Sequence, residues 1–486
     1  MFRQIIGYMP ATVIPAATSF LMIYVYTRLL TPSEYGNFSL VFSAVLVIQT
    51  SLFFAIPVAL TRFYPEAVDQ ERRDHFLVEC YLLFYILCIV VAGIICIAVC
   101  CSNRHLAVLW GLAALVLLSR SAVALNQSVN RISCQTRRYN TVECAHAVLG
   151  FALGSLFIYL LGGSAEAVLL GLLVASMVCM LVDSASLSLP FRRSWKQIDR
   201  AAVTRLIKFS MPLIVVDITV CLLALSDRFL LEALGGAGAL GVYTVAYNLV
   251  ERPTTLICSA ITTATFPVAV QVLQDYGPGA GGRQMGINGT ILCALIIPAC
   301  VGLAMTSPYI SAVMIGEQFR LGVTFLIPIM CFTALFRGVS AHVIDHAFHL
   351  AGRTTLALWV YAPSAAANVV LNLLLIPRYG MFGAAWAGLA CQALAVITGW
   401  VIARRTFPVR WQPGELAKII VAAIPMAMIL SVLRFPLSWV GLSAAVSLGA
   451  LVFAVAAVLL DVGGVRDRIF RLIKLFPTAA QIFLTR

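Results

Sequence analysis

The chain has 486 residues, of which 61% are hydrophobic and only 11% charged, with a formal net charge of +13. Soluble domains carry about 25% charged residues, so this composition excludes a water-soluble fold and turns most of the surface toward lipid. Period-two alternation of apolar and polar residues, which an outer-membrane barrel needs, is absent, and membrane-spanning helices remain.

Fourteen apolar runs are long enough to cross a bilayer. In chain order the first seven occupy 7–30, 38–60, 76–100, 106–125, 142–161, 165–187 and 209–231. The second seven occupy 240–260 (continuing toward 270), 287–306, 323–347, 356–376, 380–402, 417–433 and 437–460. The first run is longer than the core of about 7–15 residues in a secretory signal and lacks a small-residue cleavage site, so it is expected to stay as a helix. The longest polar connection covers 190–208. No connection is long enough to fold outside the membrane, which disfavours a membrane glycosyltransferase or polymerase as the activity. A phosphate loop of the GxxxxGK[ST] kind is missing too. The chain therefore carries no ATPase of its own, and any transport runs on an ion gradient or on the substrate gradient.

The positive residues set the orientation. With the N-terminus in the cytoplasm, 24 of the 33 Lys and Arg fall on the inner side and five on the outer side, while Arg120, Arg228, Arg252 and Arg337 lie within spans. Both termini are then cytoplasmic. The inner excess suits anionic lipid headgroups; without a basic soluble domain it does not indicate nucleic-acid binding. Residues 465–476 place Ile469, Leu472, Ile473 and Phe476 at helical spacing among Arg466, Arg468, Arg471 and Lys474. This reads as a basic amphipathic helix on the cytoplasmic membrane surface, with a partner-binding tail as the competing reading. The cysteines sit mostly inside apolar runs without CxxC or Cys/His ligand spacing, so they read as small, soft membrane residues, and no metal or cofactor is expected.

The chain also repeats itself. Pro10, Arg28, Gly36-Asn37-Phe38 and Phe63-Tyr64-Pro65 recur in the same order as Pro212, Arg228, Gly241-Val242-Tyr243 and Thr265-Phe266-Pro267. The offset is about 200 residues, with a glycine-rich insertion (Gly235, Gly236, Gly238) in the second copy. Two similar halves in a bilayer are how many transporters are built, one half rocking against the other around a central site.

Three stretches resemble the polysaccharide-transporter family, the O-antigen flippase branch of the multidrug/oligosaccharidyl-lipid/polysaccharide exporter superfamily. In Arg205 to Val250 a basic run leads into Phe209-Ser210-Met211-Pro212, followed by Asp227-Arg228-Phe229, Gly241-Val242-Tyr243 and Ala246-Tyr247. Leu30-Thr31-Pro32-Ser33-Glu34-Tyr35-Gly36 is similar to that family's first outer loop. Asn368 to Cys391, with Asn372, Ile376-Pro377, Tyr379-Gly380 and Gly383-Ala384-Ala385, is similar to its eleventh and twelfth helices. The resemblance implies an all-α integral membrane protein of about 14 transmembrane helices. It implies two pseudo-symmetric six-helix lobes, 1–195 and 200–403, around a central cavity and an added helix pair at 412–461, which the tail helix read above at 465–476 follows. It also implies a flippase for polyprenyl-diphosphate-linked oligosaccharide in the bacterial inner membrane, working beside polysaccharide polymerase and glycosyltransferases.

Ionisable residues inside a span are costly and point to function. Arg252 lies near mid-membrane in Glu251-Arg252-Pro253, with Asp217 at similar depth on the antiparallel seventh run. Arg252 either lines a cavity and holds a phosphate, or is neutralised by Asp217 or Glu251 and joins helices. Arg120 and Arg337 are too deep to snorkel easily and read as cavity residues. Arg28 and Arg62 lie near the ends of their runs, where snorkelling explains them equally well; the family resemblance adds a substrate role. Arginine suits a diphosphate because it stays charged and offers a fork of donors to phosphate oxygens. Asp217, Glu251 and Asp345 are the candidate ion-coupling groups. His342, Asp345, His346 and His349 share one helical face, as a polar cavity mouth, a metal site or a proton relay. Pro10, Pro15 and Pro212 mark helices able to bend.

The leading expectation is thus a lipid-linked-sugar flippase. A cation-coupled drug exporter on the same fold is the nearest rival, but it calls for an acidic cavity rather than one with several arginines. A membrane glycosyltransferase or polymerase ranks below both.

Overall fold

The computed structural model describes residues 7–64, 70–100, 104–194, 200–464 and 466, and among these it contains helices and short turns but no strand. Among the described residues, twelve helices are long and apolar enough to cross a membrane. One of them, Leu356–Thr406, is two helices merged across a break at Gly380 (φ 57°, ψ −134°). The helix Arg200–Gly235 adds another, which brings the long helices to fourteen. We number them α1 Pro10–Leu29, α2 Pro32–Phe63, α3 Gln70–Cys100, α4 Arg104–Ile132, α5 Thr136–Leu161, α6 Ala165–Ser194 and α7 Arg200–Gly235. These are followed by α8 Ala237–Tyr276, α9 Pro278–Met305, α10 Glu317–Leu350, α11 (356–379), α12 (381–406), α13 Pro413–Val432 and α14 Trp439–Leu459. A short helix, Ser307–Met314, precedes α10. The protein is a multi-pass, all-helical membrane protein.

Several helices outrun the apolar stretch that betrays them. α6 continues to Ser194 and α7 begins at Arg200, so most of the polar connection expected at 190–208 is helical. Hydropathy marks the part of a helix that meets lipid; the backbone continues helical into the polar zone, where its groups still bond internally. α8 has 40 residues, which at 1.5 Å per residue is about 60 Å, twice the hydrocarbon thickness. Pro10 starts α1, where its missing N–H costs nothing, and Pro15 alone lies inside that helix. The side chain of Pro212 and the tail after Arg466 lie outside the described residues. Exposed Ile89, Ile97, Val440 and Leu459 supply the lipid-facing surface.

The Leu-Thr-Pro-Ser-Glu stretch is a helix start. Thr31 caps α2, its hydroxyl accepting from the Glu34 N–H at 3.3 Å, and Pro32 takes the first position. The Glu34 carboxylate accepts from the Ala165 N–H at 2.9 Å, so the start of α6 is tied to the start of α2. α2 and α10 each contain a π turn, Gln49–Phe53 and Ser340–Ile344.

Packing divides the chain into two units, Met1–Thr244 with Val369–Met381, and Val245–Asn368 with Phe382–Arg486. In the first, α2 crosses the start of α8. A Cβ built on Gly36 would sit 1.8 Å from the Ala237 carbonyl oxygen, and one on Gly241 would sit 2.0 Å from the Pro32 carbonyl oxygen. Only glycine permits two backbones so close. These are the two glycines of the internal repeat, so equivalent positions of the two copies meet face to face. The crossing also puts the α1–α2 and α7–α8 turns at one end of the unit. An even number of helices between the copies requires that, as a six-helix repeat provides. In the second unit α13 packs on α9 through Ile419 and Cys293, and α14 on α13 through Ala445, Met426 and Leu430.

Candidate functional site

Polar groups inside apolar helices gather at three places. The first continues from the glycine crossing. Ser39 and Thr244, both buried, bond hydroxyl to hydroxyl at 2.7 Å. One turn deeper in α2, Ser43 accepts from Nη1 of buried Arg228 at 3.0 Å. The Tyr243 hydroxyl donates to the carboxylate of buried Asp227. The Asp-Arg pair of α7 is therefore held by the first turns of α8 and by α2. Sequence reading recorded Arg228 as a span residue without assigning it a role; the signal was its neighbourhood, an Asp-Arg pair in an apolar run just before a repeat landmark.

The second centre joins α4, α5 and α6. The Asp183 side chain is fully buried, and its Oδ1 meets Arg138 Nε at 2.6 Å. Asn130 Nδ2 donates to both carboxylate oxygens at 3.1 Å and also to Gln127 Oε1. Gln127 in turn donates to Glu143 Oε2 at 3.1 Å. Arg138 is one of the 24 cations that the sequence assigns to the inner side, and Asp183 carried no expectation. The pairing joins positions 45 residues apart, and no periodicity exposes that. In the same unit half-buried Arg120 lies over the Phe42 ring, 5.1 Å from its centroid, and Asp217 is half-buried on α7. Exposed Arg28 donates to the Tyr24 carbonyl at 2.7 Å and lies 3.7 Å over the Tyr24 ring. Arg62 is exposed near the end of α2, 6.0 Å from the Phe63 ring.

The third centre, in the second unit, links α8, α10 and α11. Arg337 Nη1 meets Glu251 Oε1 at 2.9 Å, each side chain 23% exposed. Arg337 also donates to the Tyr247 hydroxyl. Glu251 therefore pairs with Arg337 on α10 and not with its chain neighbour Arg252. Adjacent residues of a helix point about 100° apart and do not face each other. Arg252 is exposed and has no hydrogen bond or ion pair with the described residues of its own unit. Beyond the π turn of α10, Asp345 Oδ2 accepts from the Tyr361 hydroxyl at 2.6 Å, and Tyr361 oxygen lies 3.2 Å from Ser340 Oγ. Since the tyrosine proton is committed to the carboxylate, Ser340 donates. His342, His346 and His349 follow one another, with ring centroids 6.0 and 5.9 Å apart. Among the described residues no group of three or more His, Cys, Asp or Glu is placed to hold a metal ion.

A family model described as polysaccharide biosynthesis protein matches residues 2–273, from before α1 almost to the end of α8. The chain belongs to this family. No curated protein sequence matches it. Among solved structures it is similar to the lipid II flippase MurJ in an inward closed conformation, with 13% identity, 96% of this chain and 100% of that chain covered, and a TM-score of 0.78. It is also similar to an inward-facing MATE multidrug-resistance transporter of the MOP superfamily, at 15% identity, 85% and 99% coverage and a TM-score of 0.64. A MOP-superfamily transporter from Pyrococcus furiosus gives 14% identity, 85% and 95% coverage and a TM-score of 0.58. At such identities the likeness is one of fold. The fold is that of MurJ and the MATE proteins, and these structural relatives are transporters rather than enzymes.

Proposed function

We propose that this protein is a flippase that carries a polyprenyl-diphosphate-linked oligosaccharide across the bacterial inner membrane for surface-polysaccharide assembly, by alternating access and with both termini cytoplasmic. The observation that carries this reading is Arg252. A guanidinium on the interior of a membrane helix, exposed and without an ion-pair partner in its own unit, cannot rest against lipid without a large cost; it needs water or an anion. A diphosphate is such an anion, and the planar fork fits its oxygens. Arg120, Arg28 and Arg62 are further phosphate contacts in this reading. Arg337 joins them only if Glu251 lets go, which makes that pair a switch between an internal and a substrate anion. Membership of the polysaccharide biosynthesis family and the flippase fold support the substrate class. Glycosyltransferases and a polymerase acting before and after the transporter are its expected partners, and Asp217, Glu251 and Asp345 its coupling groups.

The test is Arg252→Ala and Arg252→Lys, each alone and Arg252→Ala with Asp217→Ala. Membrane abundance and translocation of a fluorescent polyprenyl-diphosphate glycan into proteoliposomes are read together. Charge-assisted hydrogen bonds are worth about 1.5–3 kcal/mol, so the alanine variant should bind the probe roughly ten- to a hundredfold more weakly at normal abundance. Lysine should rescue in part. Recovery of translocation in the double variant would make Arg252 a structural counter-ion and defeat the assignment.

A further inference from the structure

The hydrogen bonds around His342 and His346 fix their tautomers. His346 Nδ1 lies 3.0 Å from the Ala341 carbonyl oxygen. A carbonyl only accepts, so Nδ1 carries the hydrogen and Nε2 the lone pair. His342 Nδ1 lies 2.9 Å from Thr262 Oγ1. That hydroxyl has already committed its single hydrogen to the Cys258 carbonyl, at 2.9 Å. In the arrangement that keeps this bond it accepts from His342, whose Nδ1 is again the protonated nitrogen. Two imidazoles thus stand nearly parallel, 14° apart in plane and 6.0 Å between centroids, both with a basic Nε2.

The setting favours a proton over a larger ligand. Both rings line one small cavity with Thr262, Thr265, Phe266 and Asn288, with room for about one water molecule and none for a small organic ligand. Asn288 is committed to the Thr265 carbonyl at 3.0 Å and to Gln284. The Phe266 ring meets His346 edge-on at 4.5 Å between centroids. The π turn Ser340–Ile344 lies where the pair is presented; such turns recur at functional sites. The titratable groups that face the pair are Glu251 on α8 and His349 on α10; the same elements and their neighbours carry Arg252 and Cys258 on α8, Arg283 and Cys293 on α9, Arg337 and Asp345 on α10, and Tyr361 on α11. Arg337 and Glu251 neutralise each other, and Asp345 is held by Tyr361. The imidazoles, with no partner on Nε2 among the described residues, are thus a proton-exchanging group beside the candidate coupling carboxylates.

We propose that His342 and His346 form a proton-binding site that takes up one proton between them and couples its movement to transport. The proton adds to one Nε2, leaving each Nδ1 hydrogen bond intact. A second proton is opposed by the first charge on the parallel ring. The coupling half of this proposal rests on the transporter reading; the site itself does not.

The experiment has two independent arms on the full chain in lipid. In the first, histidines labelled with ¹⁵N are titrated by NMR. The expected result is Nδ1–H tautomers at high pH and one proton shared by the pair on acidification, absent in His342→Gln/His346→Gln. Imidazoles that stay neutral from pH 8 to 5, or that hold the opposite tautomer, overturn the site. In the second, translocation of a fluorescent polyprenyl-diphosphate glycan is followed with and without a one-unit pH difference. One coupled proton gives up to about a tenfold asymmetry, lost in the double variant. Stimulation of the double variant equal to that of the natural chain overturns the coupling. If the natural chain moves no probe at all, the flippase reading fails, and the titration alone decides the site.

Discussion

One helix, α8, serves two regions built on opposite principles. Its first two turns form the crossing with α2, where glycine backbones touch and Ser39, Thr244 and Ser43 are buried and hydrogen-bonded. From Tyr247 to Phe266 the same helix meets α10 through an ion pair whose members are each 23% exposed, and through imidazoles with uncommitted lone pairs. Close packing with committed polar groups makes a contact with two states, closed or apart. Partial exposure with groups in reserve suits a surface that trades protons and anions. In the readings proposed above, the crossing carries conformation and the α8–α10 cluster carries chemistry.

The sharpest way to break this contrast is to make the crossing permanent. The hydroxyls of Ser39 and Thr244 lie 2.7 Å apart, so Ser39→Cys with Thr244→Cys puts two sulfurs within bonding reach. Oxidation should join them and abolish export altogether, with recovery on reduction and no effect of oxidant on either single variant. Mass spectrometry of the cross-linked peptide, in a background cleared of the native cysteines, checks the bond. Full export by the cross-linked protein would mean that the crossing never opens.

How far the sequence foretold these regions depends on what kind of pattern each one leaves. The fourteen helices were legible because lipid forces continuous apolar runs, and the repeat was legible because Gly36 and Gly241 answer the same steric demand. That the two glycines meet each other was not legible, since a repeat says what is equivalent and not what touches. Helix ends were misplaced wherever a helix outruns the lipid, as at Ser194 and Arg200. At the site, Glu251, Arg337 and Asp345 were picked out as charges in apolar runs, but Tyr247, named only within the family motif, and Tyr361 were not seen as their partners, because a tyrosine in a membrane helix is unremarkable until it faces a charged group. The histidines were seen as one helical face; their tautomers needed Thr262 and the Ala341 carbonyl.

Next in size is the Asp183 centre, a hydrogen-bonded network joining α4, α5 and α6. Asp183→Ala takes the carboxylate from Arg138, which keeps its bond to the backbone carbonyl of residue 183, and from Asn130, which keeps Gln127. Loss of one partner of a fully buried pair costs about 3–5 kcal/mol; Arg138 is 26% exposed, so the cost is lower, and membrane abundance should fall clearly. Arg138→Met together with Asp183→Leu removes both charges and should recover most of it. If Asp183→Ala is abundant but inactive, the centre belongs with the chemistry and not with the scaffold.

The Glu251–Arg337 pair should be gentler, because both side chains are partly exposed, whereas the Asp183 side chain is fully buried. Glu251→Gln leaves the Tyr247 hydroxyl and a neutral amide beside Arg337, so abundance should drop less than for Asp183→Ala. If the pair is a switch, Glu251→Gln frees Arg337 for the diphosphate, and the probe should bind more tightly while turning over more slowly. Equal losses of binding and abundance would make the pair a plain helix joint.

The smallest effect is expected at Arg28, and it tests whether the exposed end of α1 takes part at all. Its guanidinium bonds the Tyr24 carbonyl at 2.7 Å and covers the Tyr24 ring at 3.7 Å. An exposed cation–π contact of this kind is worth about 0.5–1 kcal/mol, so Arg28→Ala should leave abundance nearly unchanged. Two outcomes then separate on transport. A residue that merely snorkels to the interface is replaced by lysine without loss, because only a charge on a long stem is needed. A residue that grips phosphate loses the fork in that change, and the half-saturating probe concentration should rise several-fold for lysine and further for alanine, with the maximal rate kept. Transport by the lysine variant indistinguishable from the natural chain assigns Arg28 to the membrane surface and confines anion binding to the arginines deeper in the helices.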